Sequence, residues 1–211
     1  MFKTLSEQID VNFGFKLTGP WTELPLSVVE QASEDFCQAF HLLPPLHLGW
    51  LSGLEIRSDE IPFAGLTSHN LIRLNPTSLN NWTVVHELAH AWDRANWFIL
   101  SFRMMLATRS WGPVPFLHAW QPNEKRFWYR AGSPPPPCGI DQNFNRVEDF
   151  AEAVTAYVYP KEAFQRAVAS GYAYGHYGYL HFRQTPRGNF IARLADLLKK
   201  EEKKDAHKVS V

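Results

Sequence analysis

Two histidines flank a glutamate in the run His86-Glu87-Leu88-Ala89-His90, and this run constrains the chain more than any other part of it. On an α-helix, residues four apart stand one above the other on the same face. Two imidazoles at that spacing can point at one metal ion, and Glu87 lies where it can reach a water on that ion. Zinc with two histidines, a carboxylate and an open fourth position makes a water acidic enough to attack a carbonyl near neutral pH. Histidines at helical spacing also occur as plain surface or core residues, so the context decides. Trp82, Val84, Val85, Leu88, Ala89, Ala91 and Trp92 make this segment strongly apolar. Polar groups on such a helix need partners when buried, and a metal supplies one. Asn80 or Asn81 offers the N-cap.

A third ligand has to come from elsewhere. Continuation through a Gly turn to a third histidine fails, because Asp93 and Asn96 stand at those positions. Asp93, His118, Asp149, His176 and His181 are isolated candidates. Residues 145–160 fit better. Val147, Phe150, Ala151, Val154, Tyr157 and Val158 recur at three- and four-residue spacing, which predicts a helix burying one side up to Pro160. Glu148 and Glu152 share a face of it. Glu148, 58 residues after His90, is taken as the ligand. Glu152, with Asp93, is then a carboxylate orienting a ligand histidine through its free ring nitrogen. Spacing alone does not exclude the reverse order, nor an ordinary acidic helix face.

The pair His-Glu-Leu-Ala-His-Ala-Trp-Asp at 86–93 and Glu-Asp-Phe-Ala-Glu-Ala at 148–153 resembles the gluzincin zinc metallopeptidases. The nearest likeness is to the group containing the catalytic domain of anthrax lethal factor and the Pro-Pro endopeptidases. That resemblance implies His86, His90 and Glu148 as ligands of one zinc ion per chain, with Glu87 the general base. It implies an α+β, zincin-like fold: a small twisted sheet, an active-site helix and a second, glutamate-bearing helix. It also implies that Gly65 to Leu74 pairs its backbone with an extended peptide substrate. Relatives carry a tyrosine seven residues before the ligand glutamate, where its hydroxyl steadies the oxyanion; here that position is Asp141. A carboxylate opposes a developing oxyanion, and one lost donor typically costs about 10²–10³ in rate. Tyr174, His176 and Tyr177 are candidate substitutes. The expectation is a zinc endopeptidase acting on peptide or protein. The alternative is an inactive or latent zinc-binding protein of the same fold serving as an interaction module; a hydrolase of a non-peptide amide also stays open.

Composition bounds the rest. With 45% hydrophobic and 14% aromatic residues, the 211-residue chain can bury a core and is read as a single domain. Its 21 basic and 21 acidic residues cancel, which gives nucleic-acid binding no electrostatic support. No secretory signal and no membrane span is visible, so cytoplasmic residence is the default, with signal-less secretion left open. Cys37 and Cys138 are too few for a disulfide framework. Cys37 reads as core. Cys138 follows Pro134–Pro137 and stands ten residues before Glu148, where its thiolate could hold a peptidase latent; a free cysteine in a stiff loop is the ordinary reading.

Along the chain, residues 1–20 give no clear periodicity. Pro25 to Phe40 predicts an amphipathic helix, Leu46 to Arg57 a strand, and Gly65 to Asn75 a second strand carrying a solvated His69. Residues 95–144 form an insertion between the two metal-binding helices. It opens with an apolar helix over 96–110 and holds four of the eight tryptophans, Trp97, Trp111, Trp120 and Trp128. Residues 161–170 predict a short helix and Phe190 to Lys200 a final one. The mixed-charge run from 200 to 211 reads as a frayed tail.

Overall fold

The computed structural model describes residues 4–42, 53–108, 118–119, 127–128, 146–169 and 182–209. These form a mixed α+β fold, mostly helical, with a small four-stranded sheet. The chain divides into two units: Met1–Ala95 with Leu194–Val211, and Asn96–Arg193.

The first unit begins with helix α1 (Leu5–Phe13), set by Thr4 and Glu7. The Thr4 hydroxyl accepts the Glu7 N–H while the Glu7 carboxylate accepts the Thr4 N–H, and Gly14 closes the helix at φ 72°. Strand β1 (Lys16–Thr18) follows, then helix α2 (Glu23–Phe40). Strands β2 (Glu55–Ser58), β3 (Gly65–Ser68) and β4 (Leu71–Leu74) complete the sheet, in the order β1-β2-β4-β3. β1, β2 and β4 are parallel, and β3 runs antiparallel to β4 at one end. The single strand expected over Gly65 to Asn75 is therefore a hairpin. It turns at His69, which takes a left-handed φ of 51° and is exposed. No glycine marks that turn, which hid it in the sequence.

Helix α3 (Asn81–Ala95) lies on β3 and β4 and packs along α2. Asn80 caps it, its Oδ1 accepting the Thr83 N–H at 2.9 Å. Between α2 and α3, Trp92 meets the rings of Phe36 and Phe40 edge to face, at centroid distances of 6.0 and 5.1 Å. All three are buried, and burial of each aromatic contributes on the order of 2–3 kcal/mol. On the sheet, Ile56, Ile72 and Leu74 are buried. Their neighbours Glu55, Arg57 and Arg73 alternate to the polar face. There, hydrogen bonds from Thr18 and then Arg57 hold the Glu55 carboxyl below its usual range.

The second unit contains helix α4 (Ile99–Thr108), the short strands β5 (His118–Ala119) and β6 (Phe127–Trp128), and helices α5 (Arg146–Val158) and α6 (Pro160–Ala169). The helix expected over 96–110 starts only at Ile99, because Trp97 and Phe98 adopt left-handed φ values of 55° and 60°. α5 packs against α4, α6 and a 3-10 turn at Phe182–Gln184, burying Phe150, Ala151 and Val154 with Met104 and Phe182 in this unit's core. Pro160 opens α6, where its missing N–H has no helical acceptor to lose.

Helix α7 spans Pro186–Val209, longer at both ends than the periodicity over Phe190 to Lys200 predicts. At its start Thr185 accepts the Gly188 N–H at 3.1 Å. At its end the Lys, Glu and Ala residues are all good helix formers. Among the described residues, no helix is long and apolar enough to cross a membrane.

Candidate metal centre

α3 brings His86 and His90 together. One turn apart, their Nε2 atoms stand 3.0 Å from each other, with the rings crossed at 83°. Two nitrogen lone pairs at that separation repel unless a proton or a cation lies between them. Tetrahedral zinc with bonds of 2.0–2.1 Å spaces two nitrogen ligands about 3.3 Å apart, so a small ring rotation suits the pair to one ion. Both histidines are half-buried, which leaves them reachable. The donor chemistry fits zinc: imidazole is among the ligands it favours.

Glu87 is 6% exposed and points toward β3 rather than along the histidine face. The Thr67 hydroxyl donates to its Oε2 at 2.6 Å and contacts its backbone oxygen at 3.1 Å. Gly65 makes the room. A Cβ there would stand 2.7 Å from both Cγ and Oε1 of Glu87. The Asn75 N–H donates to the Ala64 carbonyl at 3.0 Å, which makes that pair hydrogen-bonded. By the alternation of an antiparallel ladder, the N–H and C=O of Gly65 and Thr67 then point away from β4, toward the outer edge of the sheet. Sequence reasoning missed Thr67. Its only signal was a hydroxyl on the first strand of the hairpin that precedes α3.

α5 carries the carboxylates in the second unit. Glu148 lies in its first turn, half-buried, and Glu152 is buried one turn on, on the same face as expected. Asp149 is fully buried and bound to Arg187, Nε to Oδ1 at 2.7 Å and Nη2 to Oδ2 at 3.2 Å. That pairing commits Asp149 to a guanidinium, a contact across 38 residues that no local pattern announces. Asp93, near the end of α3, is also fully buried.

Cys37 is buried in α2, and burial followed by the nearby Glu34 pushes its thiol up to about 12. It is a core residue, as read from the sequence. Cys138, Asp141, Tyr174, His176, Tyr177 and His181 lie outside the described residues, as does the Pro134–Pro137 run. No protein family, curated protein or solved structure matches this chain.

Proposed function

We propose that the chain is a zinc-dependent hydrolase of peptide bonds, of gluzincin type, in which His86, His90 and Glu148 each give one ligand atom to a single ion. The observation that carries the reading is the convergence of two imidazole nitrogens at 3.0 Å on the helix whose Glu87 is drawn aside and braced. A purely structural histidine pair has no need of a held carboxylate between its members. Bound zinc would supply the positive charge that makes water acidic near neutral pH and polarises a carbonyl.

The chain's own residues do the rest. Glu87 takes a proton from the attacking water and returns it to the leaving amine nitrogen. Its burial keeps competing solvent from that carboxylate. The outward N–H and C=O groups of Gly65 and Thr67 suit an extended peptide added as a further strand, which would lay a substrate backbone beside the base. Glu152 and Asp93, buried on the two helices that carry the ligands, suit the role of acceptors for the outer ring nitrogens of the histidines.

Elemental analysis for zinc, with cleavage of a diverse peptide library by wild type and Glu87→Gln, tests this reading. One zinc per chain with cleavage lost in the variant is the expected result. One zinc with no cleavage by either protein would replace it with a zinc-binding interaction module. No zinc would remove the reading altogether.

A further inference from the structure

We infer that Thr67 is the positioning residue for Glu87, that Gly65 is the clearance it requires, and that Oε1 is the oxygen that handles the proton. This inference rests on the reading of Glu87 as the base. A glutamate side chain has three rotatable bonds, and ordering it costs up to about 2 kcal/mol. The 2.6 Å contact to Oε2 is the length expected of a hydroxyl donating to a carboxylate, and such charge-assisted bonds are the strong ones. Thr67 suits the task because a β-branched side chain on a strand is stiff at χ1, so the sheet fixes the hydroxyl's direction. The same hydroxyl lies 3.1 Å from the Glu87 backbone oxygen. Its single hydrogen goes to Oε2, the nearer acceptor, and the backbone contact seats the hydroxyl beside the root of the side chain.

The division of the two carboxylate oxygens follows. Oε2 is taken by Thr67, and Oε1 lies over Gly65, in space that a methyl group at residue 65 would occupy. Proton transfer is thereby assigned to Oε1. A carboxylate left to swing would spend part of its time out of line, and misplacement by about 1 Å can cost on the order of 100-fold in rate.

The test uses the full chain loaded with zinc, as wild type, Thr67→Val, Thr67→Ser and Gly65→Ala. Valine keeps the shape and removes the donor; serine keeps the donor. For Thr67→Val, kcat should fall on the order of 10–100-fold with KM and zinc content unchanged. Serine should restore most of the rate. Gly65→Ala should lose kcat by displacing the carboxylate. Wild-type kcat in Thr67→Val, or serine as impaired as valine, would overturn the inference. So would a loss that merely follows a lowered zinc content.

Crystal structures of zinc-loaded wild type and Thr67→Val give a readout independent of activity. One Glu87 conformer in the first and a displaced or divided one in the second is expected; the same conformer in both would overturn the inference. If wild type holds zinc yet cleaves nothing, the peptidase reading fails, and these conformers still decide the role of Thr67.

Discussion

Arg187 grips Asp149 through two hydrogen bonds, at 2.7 and 3.2 Å, with both side chains almost wholly shut off from solvent. The bond joins the first turn of α7 to the first turn of α5, one residue beyond Glu148. Two charges so deeply buried are tolerable because they are paired.

Arg187→Met should therefore destabilise the protein by about 3–5 kcal/mol, because it removes the cation paired with a buried carboxylate. The double variant Arg187→Met, Asp149→Leu should recover much of that loss. Urea denaturation of the two variants checks this. A single variant as stable as wild type would show that Asp149 is satisfied by other means.

Zinc should raise the melting temperature of wild type and of Glu87→Gln, and leave His86→Ala and His90→Ala unmoved. Stabilisation follows RT ln(1 + [L]/Kd), so a 100-fold excess over Kd is worth about 2.7 kcal/mol. Glu148→Gln should abolish most of the shift. Glu152→Gln should weaken zinc affinity by only about 10–100-fold, as removal of a ligand's supporting partner does. The opposite order of the two glutamates would exchange their roles.

Alkaline conditions should expose Cys37. Its thiol is pushed from 9.0 to about 12 in the folded chain, so the fold favours the protonated form. The associated stability is complete below pH 9 and is lost as pH rises from there toward 12. That loss has a limiting slope of about 1.4 kcal/mol per pH unit. Unfolding free energies of wild type and Cys37→Ala across this range isolate the thiol. Parallel curves would contradict the burial of Cys37.

Trp92→Ala should cost about 3–5 kcal/mol, since the cavity would open between Phe36 and Phe40 on α2. Trp92→Phe should cost less. Because Trp92 lies two residues after His90, thermal melts with and without zinc would show how far the packing supports the histidine pair.

The parts of this molecule legible in its sequence are those written within a single turn or two. His86, Glu87 and His90 are fixed relative to one another by helical geometry, so reading the residues amounted to reading the arrangement. The same holds for the shared face of Glu148 and Glu152. Helix α1 was readable in principle, since Thr4 and Glu7 form a capping box, but nine residues give little periodicity against which to see it. Three-residue β1 is too short to alternate visibly. The β3–β4 hairpin merged into one strand because its turn uses His69 in a left-handed conformation that glycine or asparagine would ordinarily announce.

Contacts across the sequence were closed to such reading. Thr67 meets Glu87 across 20 residues, and Arg187 meets Asp149 across 38. Neither spacing has a period, and each depends on how whole elements are laid together. The α4 start shows a third limit. Trp97 and Phe98 are apolar enough to extend a helix, yet their backbone turns the other way.

The alternation of β3 has a consequence for anyone wishing to retarget the protein. Gly65 and Thr67 turn their side-chain positions toward Glu87 and their backbone groups toward the outer edge of the described sheet. If the proposed peptidase reading holds, a peptide strand docking there would be held by main chain alone at these two positions, and substitutions at them would also disturb Glu87. Leu66 and Ser68, which point to the opposite side of the strand, are the positions left for tuning preference. On that reading the rim is a fixed rail, and selectivity would have to be written around it.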